Sequence, residues 1–107
     1  MMTWYDYLMC FFGGAFIANF VPHYVSGISG RRFPTPFNAL AGQPAPPIGL
    51  SPPSLNVAWG MVNIAAGYAL LRYGQFSITS WPSVIVAGVG FALMGFMLAN
   101  AFKALPK

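Results

Sequence analysis

Apolar residues fall in three long runs, and two stretches of different character separate them. No charged residue interrupts the chain between Asp6 and Arg31. As a helix, Leu8 to Ile28 would reach about 30 Å, the thickness of a bilayer core. A second apolar run covers about 55–73 and a third about 81–103. The pattern predicts an all-α membrane protein, a single membrane domain over 1–107, with transmembrane helices at about 7–28, 55–73 and 81–103. Trp4, Tyr5 and Tyr7 at the head of the first run, Tyr24 near its foot and Trp81 at the head of the third suit the membrane interface, where amphipathic rings settle. Pro22 lacks an N–H and crowds the preceding turn, so a kink, or a stop near 19–21, is expected there.

Residues 29–54 read differently. Pro34, Pro36, Pro44, Pro46, Pro47, Pro52 and Pro53 lie here, which excludes a continuous helix or strand. The expectation is a long, stiff, proline-rich loop at the membrane surface, with Phe33, Phe37, Leu40 and Ile48 dipping into the headgroups or packing on the helices. Ser51-Pro-Pro-Ser54 and Ser80-Trp-Pro82 read as helix starts, and Gly74 as a helix stop. The short link after Gly74 predicts an antiparallel hairpin of the second and third helices.

Composition agrees: 57% of residues are hydrophobic and 6% charged, against roughly 25% charged in soluble domains. The net charge of +4 is too small and too scattered for a nucleic-acid footprint. With three spans, Arg31, Arg32, Lys103 and Lys107 fall on one side and Arg72 on the other. The positive-inside rule then puts the 29–54 loop and the C-terminus in the cytoplasm and the N-terminus outside. Those four cations would meet anionic lipid headgroups. Asp6, the sole acidic residue, would lie near Arg72 and is placed to pair with it. The first run has no basic residue before it and is too long for a signal peptide, so it is expected to be retained. Cys10 is the single cysteine; it reads as a small apolar filler, and no metal-ligand spacing is present.

Helical spacing places Asn56, Gly60, Asn63 and Gly67 on one face of the second helix. Gly88, Ala92, Gly95 and Ala99 form a matching row on the third, and Gly14 and Ala18 stand four apart on the first. Small residues let backbones approach closely in lipid, where such approach and interhelical hydrogen bonds drive association. These rows are expected to join the three helices, or to dock the protein on itself or on other membrane subunits.

His23 is the only histidine, and ionisable residues at membrane depth tend to face a bundle interior or a cavity. Asn19, Asn56, Asn63 and Asn100 are expected near the same polar region. The plain reading is that His23 bonds to Asn19, a loop carbonyl or headgroups; the sharper one is a proton relay or substrate site. Haem or chlorophyll ligation by His23 is a third option, with bis-histidine coordination only across an oligomer. No other cofactor and no nucleophile with its base is implied, so the chain reads as non-enzymatic.

Asn19-x-x-Pro22-His23, Gly27-x-x-Gly30-Arg31, Phe33-x-Thr35-Pro36-Phe37 and Asn56-Val-x-Trp59-Gly60 resemble small uncharacterised bacterial inner-membrane proteins with an N-x-x-P-H exit followed by a G-R-x-F-x-T-P-F loop. The resemblance implies no activity. The functional expectation is an accessory or structural subunit of a larger membrane complex. The alternative is a small oligomeric transporter or channel with its polar site around His23.

Overall fold

The computed structural model describes residues 2–105. Its three helices, α1 (Trp4–Ile28), α2 (Pro53–Tyr73) and α3 (Trp81–Ala101), are each long and apolar enough to cross a membrane. α1 begins before the apolar run because Thr3 and Asp6 form a capping box. The Thr3 hydroxyl accepts the Asp6 N–H at 3.3 Å, and the Asp6 carboxylate accepts the Thr3 N–H at 2.9 Å. A carboxylate at this position satisfies a free donor and meets the positive end of the helix dipole. Asp6 is buried in that role and does not form the expected pair with Arg72.

α1 then runs unbroken through Pro22, so the expected stop near 19–21 does not occur. The missing N–H removes one intrahelical bond, while contacts on both sides of it hold the helix against α2. α1 ends in a Schellman motif. The Arg31 N–H bonds to the Ser26 carbonyl at 2.9 Å and the Gly30 N–H to the Gly27 carbonyl at 3.1 Å, with Gly30 left-handed at φ 72°. α2 ends in the same way, its Phe76 N–H reaching the Leu71 carbonyl at 2.9 Å, but the left-handed residue is Gln75 at φ 65°. Gly74, the expected stop, has an ordinary φ of −82°. Its lack of a side chain serves packing instead, since a Cβ there would stand 2.8 Å from Met9 Cβ. Cys10 is more than a filler: its thiol donates to the Gly74 carbonyl at 3.3 Å.

Both other helices pack on α1. α2 runs antiparallel to it, with Gly67 beside Gly13, Gly60 against Tyr24, and Val57 against Gly27. Asn56, Gly60, Asn63 and Gly67 are all buried on this face, as are Gly14 and Ala18 on α1. α3 crosses the other flank of α1, where Gly14 faces the Ala87 carbonyl and Gly90 the Phe11 carbonyl. A Cβ at either glycine would come within 2.0 Å of the facing oxygen.

The row expected to make this contact does not. Gly88, Ala92, Gly95 and Ala99 are exposed, and Ser83, Ala87 and Gly90, one step round the helix, are buried in their place. Both rows are small enough for close approach, and Ser83 explains the choice. Its hydroxyl lies 2.8 Å from the Ser80 carbonyl and 3.0 Å from the Ser77 carbonyl, and accepts the Ser77 N–H at 3.1 Å. A buried hydroxyl left without partners is costly, so α3 turns to put Ser83 on the preceding turn.

Residues 29–52 connect α1 to α2 in short folded pieces rather than one long loop. A 3-10 turn at Asn38–Ala41 divides the stretch, and Phe33 and Ser51 pair antiparallel through bonds of 3.2 and 2.9 Å. Phe33 packs on Phe102 of the chain beyond α3 and Phe37 on Trp59 of α2, whereas Leu40 and Ile48 stay exposed.

Two outcomes follow for stability, read from unfolding in detergent. Gly14→Val is expected to destabilise by about 1–3 kcal/mol through overpacking at the α1–α3 crossing, while Gly88→Val leaves stability unchanged. Gln75→Gly is expected to stabilise by about 1 kcal/mol by relieving a left-handed residue with a side chain.

Candidate functional site

The polar side chains at the loop end of the bundle form two layers. Within the helices, Asn19 on α1 donates from Nδ2 to Oδ1 of Asn63 at 2.9 Å, and Asn63 donates to its own helix at the Trp59 carbonyl, 2.7 Å away. One turn nearer the loop, His23 Nδ1 lies 2.9 Å from Oδ1 of Asn56. Both residues are buried, His23 to 3% exposure and Asn56 to 0%.

The orientation of Asn56 settles the direction of its bond with His23. Its Nδ2 points at three carbonyls, those of Phe33 at 2.8 Å, Ser51 at 3.2 Å and Pro52 at 3.3 Å. Only an NH2 group can face three acceptors. The atom facing His23 is therefore the amide oxygen, so Nδ1 carries a proton and donates it to Asn56. The ring is held edge-on to Phe33, with centroids 5.3 Å apart.

A second centre holds the connection together from inside. Asn38 Oδ1 accepts from the Thr35 N–H at 2.9 Å and from the Ser51 hydroxyl at 2.5 Å; its Nδ2 donates to the carbonyls of Pro44 at 3.0 Å and Gly49 at 2.8 Å. The Thr35 and Ser51 hydroxyls meet at 2.7 Å. Ser51, expected near a helix cap, is thus used in the connection instead, and α2 starts at Pro53 without a side-chain cap. That Asn38, Thr35 and Ser51 meet in one polar centre was not foreseen from the sequence. The available signal was three short polar residues, Thr35 and Asn38 three apart, inside a stretch otherwise rich in proline and apolar residues.

Between these layers lies a cavity of about 170 Å³, lined by Asn19, His23, Thr35, Trp59, Phe102 and three prolines. Trp59 Nε1 is buried without a hydrogen-bond partner. Asn100 does not join this cluster: it lies exposed on α3, off the face carrying Ser83, Ala87 and Gly90. Arg31, Arg32 and Lys103 are exposed at the same end of the bundle, and Lys107 lies outside the described residues. Among the described residues no group of three His, Cys, Asp or Glu side chains gathers as metal ligands would. The arrangement can fix the imidazole and hold the connection down on the helices.

Asn56→Leu is expected to free residues 29–52, because it leaves a buried imidazole N–H and buried carbonyls unpaired at about 1–3 kcal/mol each. Limited proteolysis should cut 29–52 faster in this variant while helical circular dichroism is kept. Asn100→Ala should match the parent in both measurements.

Compared with models of known families, with characterised proteins and with solved structures, the chain finds no match in any of the three.

Proposed function

We propose that the protein is a non-catalytic accessory or structural subunit of a bacterial inner-membrane assembly, with its N-terminus outside and residues 29–52 and the C-terminus in the cytoplasm. The observation that carries this reading is the outward row of α3. Gly88, Ala92, Gly95 and Ala99 are exposed, and among the described residues nothing beyond the neighbouring turns of α3 comes within 4 Å of where a Cβ would stand at Gly88 or Gly95. Such a row lets a second helix approach closely, the main source of helix association in lipid. Its neighbours Phe91, Phe96 and Met97 are exposed too and would frame an incoming helix. The resemblance to small bacterial inner-membrane proteins fits the same reading.

The transporter alternative has less support. The amides it would need around His23 are joined to each other or to backbone carbonyls, and the cavity of about 170 Å³ is below the roughly 300–1,000 Å³ of small-molecule pockets.

Native mass spectrometry of the protein after gentle extraction tests the proposal. A mass above that of one chain, from itself or another subunit, is expected, and Gly88→Leu combined with Ala92→Leu should sharply lower it. A lone chain from wild-type membranes would remove the reading.

A further inference from the structure

Below the α1–α3 crossing the two helices part, and a groove of about 410 Å³ opens between them. Ala18, Val21 and Val25 of α1 and Phe91 and Leu98 of α3 form its walls, and Ser26 and Arg31 stand at one end. Ala18 to Ser26 covers about 12 Å of helix, so the groove runs from the end of α1 toward the middle of the bundle. It is apolar at depth and polar at its mouth.

Two polar residues mark the mouth. Ser26 lines the groove and is only 7% exposed. Arg31 is held over the last turn of α1 by its own backbone bond to the Ser26 carbonyl at 2.9 Å, and no carboxylate of the described chain is near it. Asp6, the only acidic side chain, closes the capping box at the other end of α1.

We propose that this groove binds one anionic glycerophospholipid, with a fatty-acyl chain between α1 and α3, an ester oxygen at the Ser26 hydroxyl and the phosphate at the Arg31 guanidinium. Charge complementarity selects the occupant. A second copy of this chain has one acidic side chain, Asp6, and it closes the capping box at the opposite end of α1, whereas a phospholipid carries its anion at the depth where α1 ends. Guanidinium groups match phosphate oxygens in geometry as well as charge. The order of chemistry along the groove, cation, hydroxyl, then hydrocarbon, is that of the lipid.

The test is native mass spectrometry of the full chain in detergent with phosphatidylglycerol or phosphatidylcholine added. One phosphatidylglycerol per chain should be retained in preference to phosphatidylcholine. Arg31→Gln should lower that retention about fivefold, the contribution of one basic residue near an anionic surface. Arg72→Gln, which removes the same charge from the other end, should not. Val25→Trp should block binding by filling the groove. Equal retention of the two lipids, equal loss with Arg72→Gln, or a second chain appearing where the lipid adduct was expected would overturn the proposal. Phosphatidylglycerol with a photoactivatable acyl chain gives a readout on the unmodified protein. Label concentrated on residues 18–26 and 91–98 supports the groove, and label spread evenly over every exposed position refutes it.

Discussion

A proline-rich segment packed on a membrane helix bundle has more backbone acceptors than donors, and the loop end of this protein is built around that imbalance. Each proline contributes a carbonyl and no N–H, and residues 29–52 include Pro34, Pro36, Pro44, Pro46, Pro47 and Pro52. Two asparagines make up the deficit. Asn38 donates to the carbonyls of Pro44 and Gly49, and Asn56 to those of Phe33, Ser51 and Pro52. Each amide is then balanced on its oxygen side, Asn38 by Thr35 and Ser51 and Asn56 by His23. His23 is in this sense the last member of a hydrogen-bond chain that begins at the connection's carbonyls. Its burial follows from a need for donors as much as from any chemistry of its own.

The same economy of polar groups shapes the helix packing. Adjacent glycines on α1 serve opposite flanks, Gly13 toward Gly67 of α2 and Gly14 toward Ala87 of α3. The α1–α2 seam continues down the whole bundle because interhelical bonds at Asn19–Asn63 and His23–Asn56 reinforce the close approach. α3 has no such bonds to α1. Its glycine-mediated close approaches to α1 lie at the crossing of Gly14 with Ala87 and Phe11 with Gly90, and the groove beside Arg31 lies below them.

How much of this could be read from the sequence follows from where the information lies. The three helices were legible because bilayer-length apolar runs are long and uninterrupted. The buried face of α2 was legible because Asn56, Gly60, Asn63 and Gly67 are its small and amide residues at helical spacing, and two of them need partners. The face of α3 was not. Its sequence is apolar or small nearly all round, so the row at Gly88 and the row at Ala87 read alike, and what separates them is Ser83 bonding to a turn outside the helix. The stop expected at Pro22 does not occur, because local propensity reports one lost hydrogen bond while the long α2 seam holds the helix continuous through it. Asp6 was assigned to a distant arginine when a threonine three residues away offered a better partner.

Where polar groups are so few, their positions also indicate what the fold leaves open. The asparagines and His23 of α1, α2 and the connection answer one another's hydrogen-bonding needs, while Trp59 Nε1 is buried without a partner and Arg31 faces outward at the end of α1. α3 is different: its one buried hydroxyl fixes its rotation, and this same rotation leaves Gly88, Ala92 and Ala99 exposed and puts Gly95 on the edge of the groove. The outward row and the groove thus share a cause. Ser83 orients α3 from one end, the glycine crossing brings it close to α1, and the exposed face beyond that crossing is surface that lipid or another helix must cover.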